Sequence, residues 1–390
     1  MRLHEFQAKR LLGDYGLPTP RGAVALNADE AEAVARDLGT SPIVVKAQIH
    51  AGERMQAGGV RMAHGPSMAR SAAAAMLGQT LVTPQTGEEG EVVRRVYVEE
   101  GVSAKLSLYL SLLVDPRVGG LVVVGSAQGG EGVEQRERKG EFARETLPLP
   151  IGHPAEPEDV AGFLGRLGVD GAANPAGVTL IEGLRRAFVE LDASLIEINP
   201  LALTAGGELK ALDVKMTVDD NALFRHPELA ALRDEADQAR VKLSAHRDQL
   251  NFVQLDGDIG LVSNGAGLGL ATLDMVKAAG GKPANFMDIR TTAKSLDIAH
   301  GFALLLDNPA IRTLPINVHG GGMQSCDTIC EGLGVALRRA GRKLPIVVRL
   351  AGQNADLGRY RLQSFGCAVF DAPDMGAAAE RAVAVAAGRT

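Results

Sequence analysis

Apolar positions along the chain change period several times, and those changes mark its elements. Leu3, Phe6, Leu11 and Leu12 recur at helical spacing, and Gly13, Gly16, Pro18 and Pro20 close that first helix. Residues 28–38 repeat the helical pattern and stop at Gly39. IVVK at 43–46, VYVEE at 96–100 and LSLYLSLLVD at 106–115 have the length and composition of strands, the last alternating with period two at its start. LVVVGSAQGG at 121–130 reads as a strand entering a Gly-rich turn. Helical patterns return at 158–167 and 177–191. After them LIEIN (195–199), the turn TAGGE (204–208) and LKALDVK (209–215) predict a β-hairpin.

Residues 220–255 are more polar and read as a partly helical connector, with an acid- and base-rich run at 233–249. From 256 the texture changes. Short apolar strands at 259–264, 283–289, 313–318, 344–350 and 367–370 alternate with helical stretches at 267–279, 294–306, 323–340, 354–364 and 374–387. Five β-then-α units in succession describe a small doubly wound parallel sheet. The chain is thus α/β with at least two domains, and the boundary falls near 240–255. A length of 390 residues agrees, being too long for one ordinary core.

Composition narrows the function classes. The chain is 46% hydrophobic and 23% charged, has no Trp and carries a net charge of −6. A mildly acidic chain without a basic block argues against general affinity for nucleic acid. The N-terminus has charges every few residues and no stretch reaches ~18 uninterrupted apolar residues, so neither signal peptide nor membrane span is expected. Three cysteines, Cys326, Cys330 and Cys367, make no disulfide framework and fit a reducing compartment. The expected location is cytoplasmic. Cys326 and Cys330 are four apart and can share a helix face, but no second ligand pair accompanies them; buried small hydrophobes are the simpler reading.

Three local patterns carry chemistry. On an extended strand Glu197 and Asn199 point to one face, and the hairpin folds Asp213 back beside them. A carboxylate and an amide carbonyl suit Mg²⁺, which keeps waters and bridges to nucleotide phosphates; the same residues also suit the solvent face of an edge hairpin. Lys46 ends an apolar strand before the Gly-rich AQIHAGERMQAGGVR (47–61), where a lysine and loop N–H groups can hold phosphate, though such turns are common. Glu99 ends another strand and suits either a nucleotide contact or the surface.

Taken in order, LHEFQAKRLL, VVKAQIHAG, AGGV, LVTPQT, EINPL, DDNALFR, DGDIGLVSNGAGL, GGKPANFMD and VVRLAG resemble the β subunits of succinate–CoA ligase and malate–CoA ligase over essentially the whole chain. The resemblance implies an ATP-grasp domain at 1–240 and a flavodoxin-like CoA-ligase domain at 241–390. It implies a ligase forming an acyl-CoA and ADP from a dicarboxylic acid, CoA and ATP. The phosphoryl group would pass through a histidine on a partner α subunit, which also binds CoA. Carried over onto this sequence, Lys46, Gly52, Glu53, Arg54, Glu99 and Val102 would hold the nucleotide. Asn199 and Asp213 would hold Mg²⁺. Glu197 would contact the partner histidine and stabilise its phosphorylated form through a ring N–H. Asn264, Arg290, His319, Gly320, Gly321 and Gly322 would surround the acid, with the glycines opening a helix whose free N–H groups favour an anion. Pro20 is similar to the ATP-preferring rather than the GTP-preferring members.

Four departures stand out. The usual GGRGKAGGVK is here GERMQAGGVR, which puts Glu53, Met55 and Gln56 at the phosphates. Ser107 replaces an acidic residue. DVGGGA becomes DIRTTA (288–293), adding Arg290, and NIFGGIVRCD becomes NVHGGGMQSCD (317–327), adding His319. His319 is either a packed or solvated histidine or a substrate contact. Arg290 and His319 suggest an acid other than plain succinate, with a further polar or charged substituent. An ordinary succinate or malate–CoA ligase, and a catalytically impaired subunit, are the competing readings.

Overall fold

The computed structural model describes residues 1–389 other than 88–89, 142, 172, 234–249 and 322–323. Its contacts divide the chain into two units, Met1–Asp237 and Gln238–Thr390. Much of the expected connector, at 234–249, lies outside the described residues.

In the first unit, β1 (Gly22–Ala25), β2 (Ile43–Ala47), β3 (Val60–Ala63) and β6 (Val96–Glu100) form an antiparallel sheet in the order β1-β6-β2-β3. Two short strands, β4 (Thr80–Leu81) and β5 (Glu91–Val92), pair separately. Helices α2 (Ala28–Leu38) and α3 (Pro66–Met76) share a core with the four-stranded sheet, where Ala31, Ala35, Ala69 and Ala73 meet Ile43 and Val45. The Asn27 side chain accepts from Glu30 N at the start of α2, and Gly39 at φ 62° ends it.

The larger sheet contains β7 (Leu106–Asp115), β8 (Gly120–Ser126), β9 (Glu145–Leu149), β10 (Ala193–Leu203), β11 (Leu209–Ala211) and β12 (Val214–Val218). Its order is β11-β10-β7-β8-β9, and β12 pairs with the first half of β10. Leu108, Leu110 and Leu112 point from β7 into a core shared with α1 (Glu5–Gly13), α5 (Pro157–Arg166) and α6 (Ala173–Glu190), as period-two alternation requires. A short helix, α4 (Val133–Arg138), follows β8. After β12 come a 3₁₀ turn at Asp220–Arg225 and α7 (Pro227–Ala230). The predicted hairpin is therefore real but broken. The hairpin keeps one register across residues 199–200, but β10 shifts against β7 between Ile198 and Leu201, where Pro200 has no N–H to give the ladder. The break leaves Asn199 and Asp213 side by side, with Asn199 N donating to Asp213 O at 3.1 Å.

The first helix forms where expected, and Leu3 and Leu12 are buried as expected, but the other two positions are not. Instead of Phe6 and Leu11, the buried side is Glu5, Ala8, Lys9 and Leu12, itself an i, i+3, i+4, i+7 set. Two charged positions were hidden inside the helical period.

The second unit carries β13 (Leu250–Gln254), β14 (Val262–Ser263), α8 (Ala266–Ala278), β15 (Asn285–Ile289), α9 (Ser295–Asp307) and β16 (Leu314–Gly320). Then follow α10 (Cys326–Arg339), β17 (Ile346–Gly352), α11 (Ala355–Gln363), β18 (Val369–Asp371) and α12 (Met375–Ala386). The order β13-β15-β14-β16-β17-β18 contains the expected parallel sheet in the 2-1-3-4-5 arrangement of flavodoxin-like folds. Apolar clusters lie on both faces: Ile346 and Val348 belong to one, with Phe302 and Ile329, and Val347 to the other, with Val276 and Ala382. Leu250–Gln254 corrects the sequence expectation, since part of the supposed connector is an antiparallel edge strand on β15. Cys326 and Cys330 are buried on α10, and burial pushes the Cys330 thiol up to about 12.

Candidate functional site

A cavity of about 380 Å³ in the first unit is lined by Lys46, Gly52, Glu53, Arg54, Glu99, Val102, Glu197, Asn199 and Asp213. Every nucleotide, metal and catalytic position expected in this half therefore faces one space. β2 delivers Lys46, β6 delivers Glu99, and β10 and β12 with their break deliver Glu197, Asn199 and Asp213.

Beneath the cavity lies a buried ionic network that the sequence reading missed. Glu5 accepts from Lys46 Nζ at 2.9 Å and from Arg54 Nη2 at 2.7 Å, and pairs with Lys9 at 2.9 Å. Glu99 bridges Lys9 at 2.6 Å and Lys46 at 2.5 Å, and Arg54 also binds Asp213 Oδ1 at 2.8 Å. Three carboxylates thus meet three cations. Burial works to raise the Glu5 carboxyl, but Lys46, Lys9 and Arg54 outweigh it and hold it well below the usual range. Burial likewise works to lower Lys46, yet Glu5, Glu99 and Asp213 raise it above the ordinary lysine value. Both groups are fixed in their charged forms. Lys46 and Arg54 are only 6% exposed, so they present charge to the cavity from a set position.

Asn199 Oδ1 accepts from Gly130 N at 2.6 Å, which ties the Gly-rich turn after β8 to the cavity wall. Asn199 and Asp213 contribute an amide and a carboxylate, hard oxygen donors that leave most of a coordination sphere to water and phosphate. Among the described residues no cluster of three His, Cys, Asp or Glu could hold a metal by itself. The pair fits a Mg²⁺ ion that arrives with a nucleotide.

Glu53 also lines this space, in the left-handed region at φ 56°. Nearby Met55 is exposed, and Ser107 sits on β7 opposite Ala202. Glu197 has two partners absent from the sequence reading: Lys215 Nζ at 2.8 Å and Tyr109 OH at 3.1 Å. Burial, then the Glu197 charge, raises the Tyr109 phenol, so it stays protonated and donates. Lys215 was legible in principle, because pairing β10 with β12 puts it directly across from Glu197.

In the second unit, Asn264, Arg290, His319, Gly320 and Gly321 gather at the carboxyl ends of β14, β15 and β16, where the strand order reverses and open α/β sheets bind ligands. The Asn264 side chain bonds both His319 N and His319 O at 2.9 Å. Asp288 Oδ1 accepts from Gly265 N at 2.6 Å. Arg290 donates through Nε and Nη2 to Asn251 Oδ1 at 3.2 and 2.9 Å, and Asn251 donates to Asp288 at 2.9 Å. Gln324 Nε2 reaches Ala293 O at 2.6 Å and fastens the 290–293 turn. One expectation is corrected here: Gly320 and Gly321 do not open a helix. Gly320 ends β16, Gly321 forms a tight turn with Gln324, and α10 begins only at Cys326. Gly320 is needed for packing, since a Cβ there would lie 2.5 Å from Gln353 O. Gly322 lies outside the described residues.

Two family models match the chain, one after the other. An ATP-grasp domain model matches residues 2–203 and a CoA-ligase model matches residues 262–383. The chain is 44% identical to the succinate–CoA ligase [ADP-forming] subunit beta of Anaeromyxobacter dehalogenans, covering 99% of each. It is 41% identical to that of Burkholderia vietnamiensis, covering 100% of each. Among solved structures, ATP citrate lyase from Methanothrix soehngenii in complex with citrate and coenzyme A aligns over 99% of each chain with a TM-score of 0.70. At 18% identity that likeness speaks for the fold alone. By its sequence relatives and its two matched domains, this chain belongs to the family of ADP-forming succinate–CoA ligase β subunits.

Proposed function

We propose that the chain is the nucleotide-binding subunit of an acid–CoA ligase that joins a dicarboxylic acid to CoA with release of ADP. The observation that carries this is the single cavity in which Lys46, Arg54, Glu99, Asn199 and Asp213 converge, inside a segment with ATP-grasp ancestry. Lys46 and Arg54, held charged, bind the phosphates with N–H groups of the 52–59 loop. Glu99 and Val102 bind the rest of the nucleotide. Asn199 and Asp213 hold Mg²⁺, which neutralises charge on the phosphate oxygens when bound.

The phosphoryl group moves to a histidine on a partner α subunit, with Glu197 accepting the N–H of the imidazole. The partner, which also binds CoA, then presents it to the acid, and the CoA thiol displaces phosphate from the resulting acyl phosphate. The acid sits against Asn264, Arg290, His319 and the glycines at 320–322. Arg290 is a planar two-pronged donor for a carboxylate, already oriented by Asn251. That orientation favours an acid with one polar or charged group more than succinate. Cytoplasmic location follows the same reading.

ADP release by the co-expressed α and β chains, with CoA and a panel of dicarboxylic acids, tests the proposal. Turnover that depends on both CoA and one acid is expected. Fastest turnover with succinate itself would overturn the substrate assignment. Sustained ADP release over many turnovers with no dependence on CoA would overturn the ligase, since only one ADP per histidine forms without it.

A further inference from the structure

A second cavity, of about 240 Å³, adjoins the first, and its walls include Arg2, His50 and Gln85. The two cavities share Gly52, Arg54, Glu197, Asp213 and Lys215, so these residues form the partition between them. Its charged part is two ion pairs, Arg54–Asp213 and Lys215–Glu197, each closed at 2.8 Å.

The pairs differ in freedom. The Arg54 side chain is 6% exposed and anchored by Ala47 O and Glu5 as well. The Lys215 side chain is 36% exposed and sits on Glu197, which is 17% exposed. Glu197 keeps a donor in Tyr109 even when the lysine changes partner. Gly52 lets the ammonium and the Gln85 amide come close to the backbone: a Cβ there would lie 2.9 Å from Lys215 Nζ and from Gln85 Nε2.

We propose that Lys215 is a catalytic residue for phosphoryl transfer, the cation that leaves Glu197 and meets the phosphoryl group as it crosses the partition. The inference rests on the reading that nucleotide phosphates occupy the first cavity and that the acceptor imidazole meets Glu197. A phosphoryl group crossing there passes within reach of the Glu197 carboxylate, which repels it unless a cation takes up the charge. In the step, the bond between the γ-phosphorus and the β–γ bridging oxygen breaks and its electron pair leaves with ADP. The lone pair of a neutral imidazole nitrogen forms the new P–N bond. The other ring nitrogen keeps its proton, hydrogen-bonded to the Glu197 carboxylate, so no proton is transferred or released. Lys215 moves from the carboxylate to the equatorial oxygens, and the imidazolium character that develops replaces it on Glu197.

The test uses the full αβ complex with γ-labelled ATP, without CoA or acid, following label on the partner histidine in single turnover. Lys215→Met should slow labelling about 10²–10³-fold, the usual cost of losing one charge-stabilising donor. ADP affinity, measured by calorimetry, should change less than about 3-fold, and Lys215→Arg should recover much of the rate, since a cation and not a lysine as such is required. In a Glu197→Gln background, Lys215→Met should still slow labelling at least about tenfold. Labelling by Lys215→Met at the wild-type rate would overturn the assignment. So would the absence of any further loss in the Glu197→Gln background, because Lys215 would then act only by positioning Glu197. Failure of the wild-type complex to label its partner would instead overturn the underlying reading, and the inference with it.

Discussion

At the scale of single residues, the informative positions are those that break a local rule. Glu53 holds a left-handed backbone that costs a side-chain-bearing residue about 1–2 kcal/mol, and it places a carboxylate on a wall assigned to phosphate. Glu53→Gly should therefore raise thermal stability by roughly 1 kcal/mol and tighten ADP binding. Calorimetric titration with a melting curve reads both, and weaker binding would mean that Glu53 itself contacts the metal or ligand. Glu5 breaks the rule that carboxylates stay outside. Its folded-state pKa is depressed, so the stability it contributes is present above the unfolded value near pH ~4.3 and is lost as pH falls below it. The free energy of unfolding at equilibrium should fall steeply in that acid window. Glu5→Gln should abolish much of the acid dependence and cost about 3–5 kcal/mol at neutral pH, because Lys46, Lys9 and Arg54 lose a buried counter-charge. A neutral-pH stability equal to wild type would show that the network is dispensable. Glu5 is invisible in the sequence because apolar side chains alone do not trace its stripe, although its register with Ala8, Lys9 and Leu12 is regular.

Among elements, legibility followed burial. β6 and β7 were readable to the residue, and the helices of the second unit to within a few residues, because each carries an uninterrupted apolar pattern. The missed elements carry weak patterns. β13 reads LNFVQ, only Leu250 of it is buried, and a polar connector was the natural inference. Yet that edge strand supplies Asn251, the partner of Arg290. α3, rich in alanine, packs closely but offers only Met68 and Met76 as large apolar side chains to mark a helical stripe. The candidate site was legible mainly through the hairpin and Lys46; the cations and carboxylates behind it come from segments far apart in sequence, which pattern alone cannot join. If β13 orients Arg290, then Asn251→Ala should raise KM for the acid about tenfold, the worth of one hydrogen bond to a charged group, and leave ADP affinity unchanged. Steady-state kinetics with the acid varied decides it. A change confined to kcat would place Arg290 away from acid binding.

At the scale of the whole molecule, each unit carries the means to fold alone. The second unit has apolar clusters on both faces of its sheet, built from its own helices, among them Phe302, Ile329 and Leu333 on one side and Val276, Ala379 and Ala382 on the other. A five-stranded parallel sheet covered on both faces satisfies its backbone internally except at its edges. At one edge β13 performs that service: it pairs with the full length of β15, and Leu250 packs at Gly301 of α9, where even a Cβ would come within 2.6 Å. Residues 250–390 expressed alone should therefore give a monomer that unfolds in one cooperative thermal transition. A fragment starting at 256 lacks that strand and exposes β15, Asn285–Ile289, as a flat apolar edge. It should melt lower and associate in a concentration-dependent way, seen by light scattering. Equal melting temperatures for the two fragments would show that the edge strand serves Arg290 alone. A longer fragment without cooperative unfolding would show that the second core depends on the first unit after all.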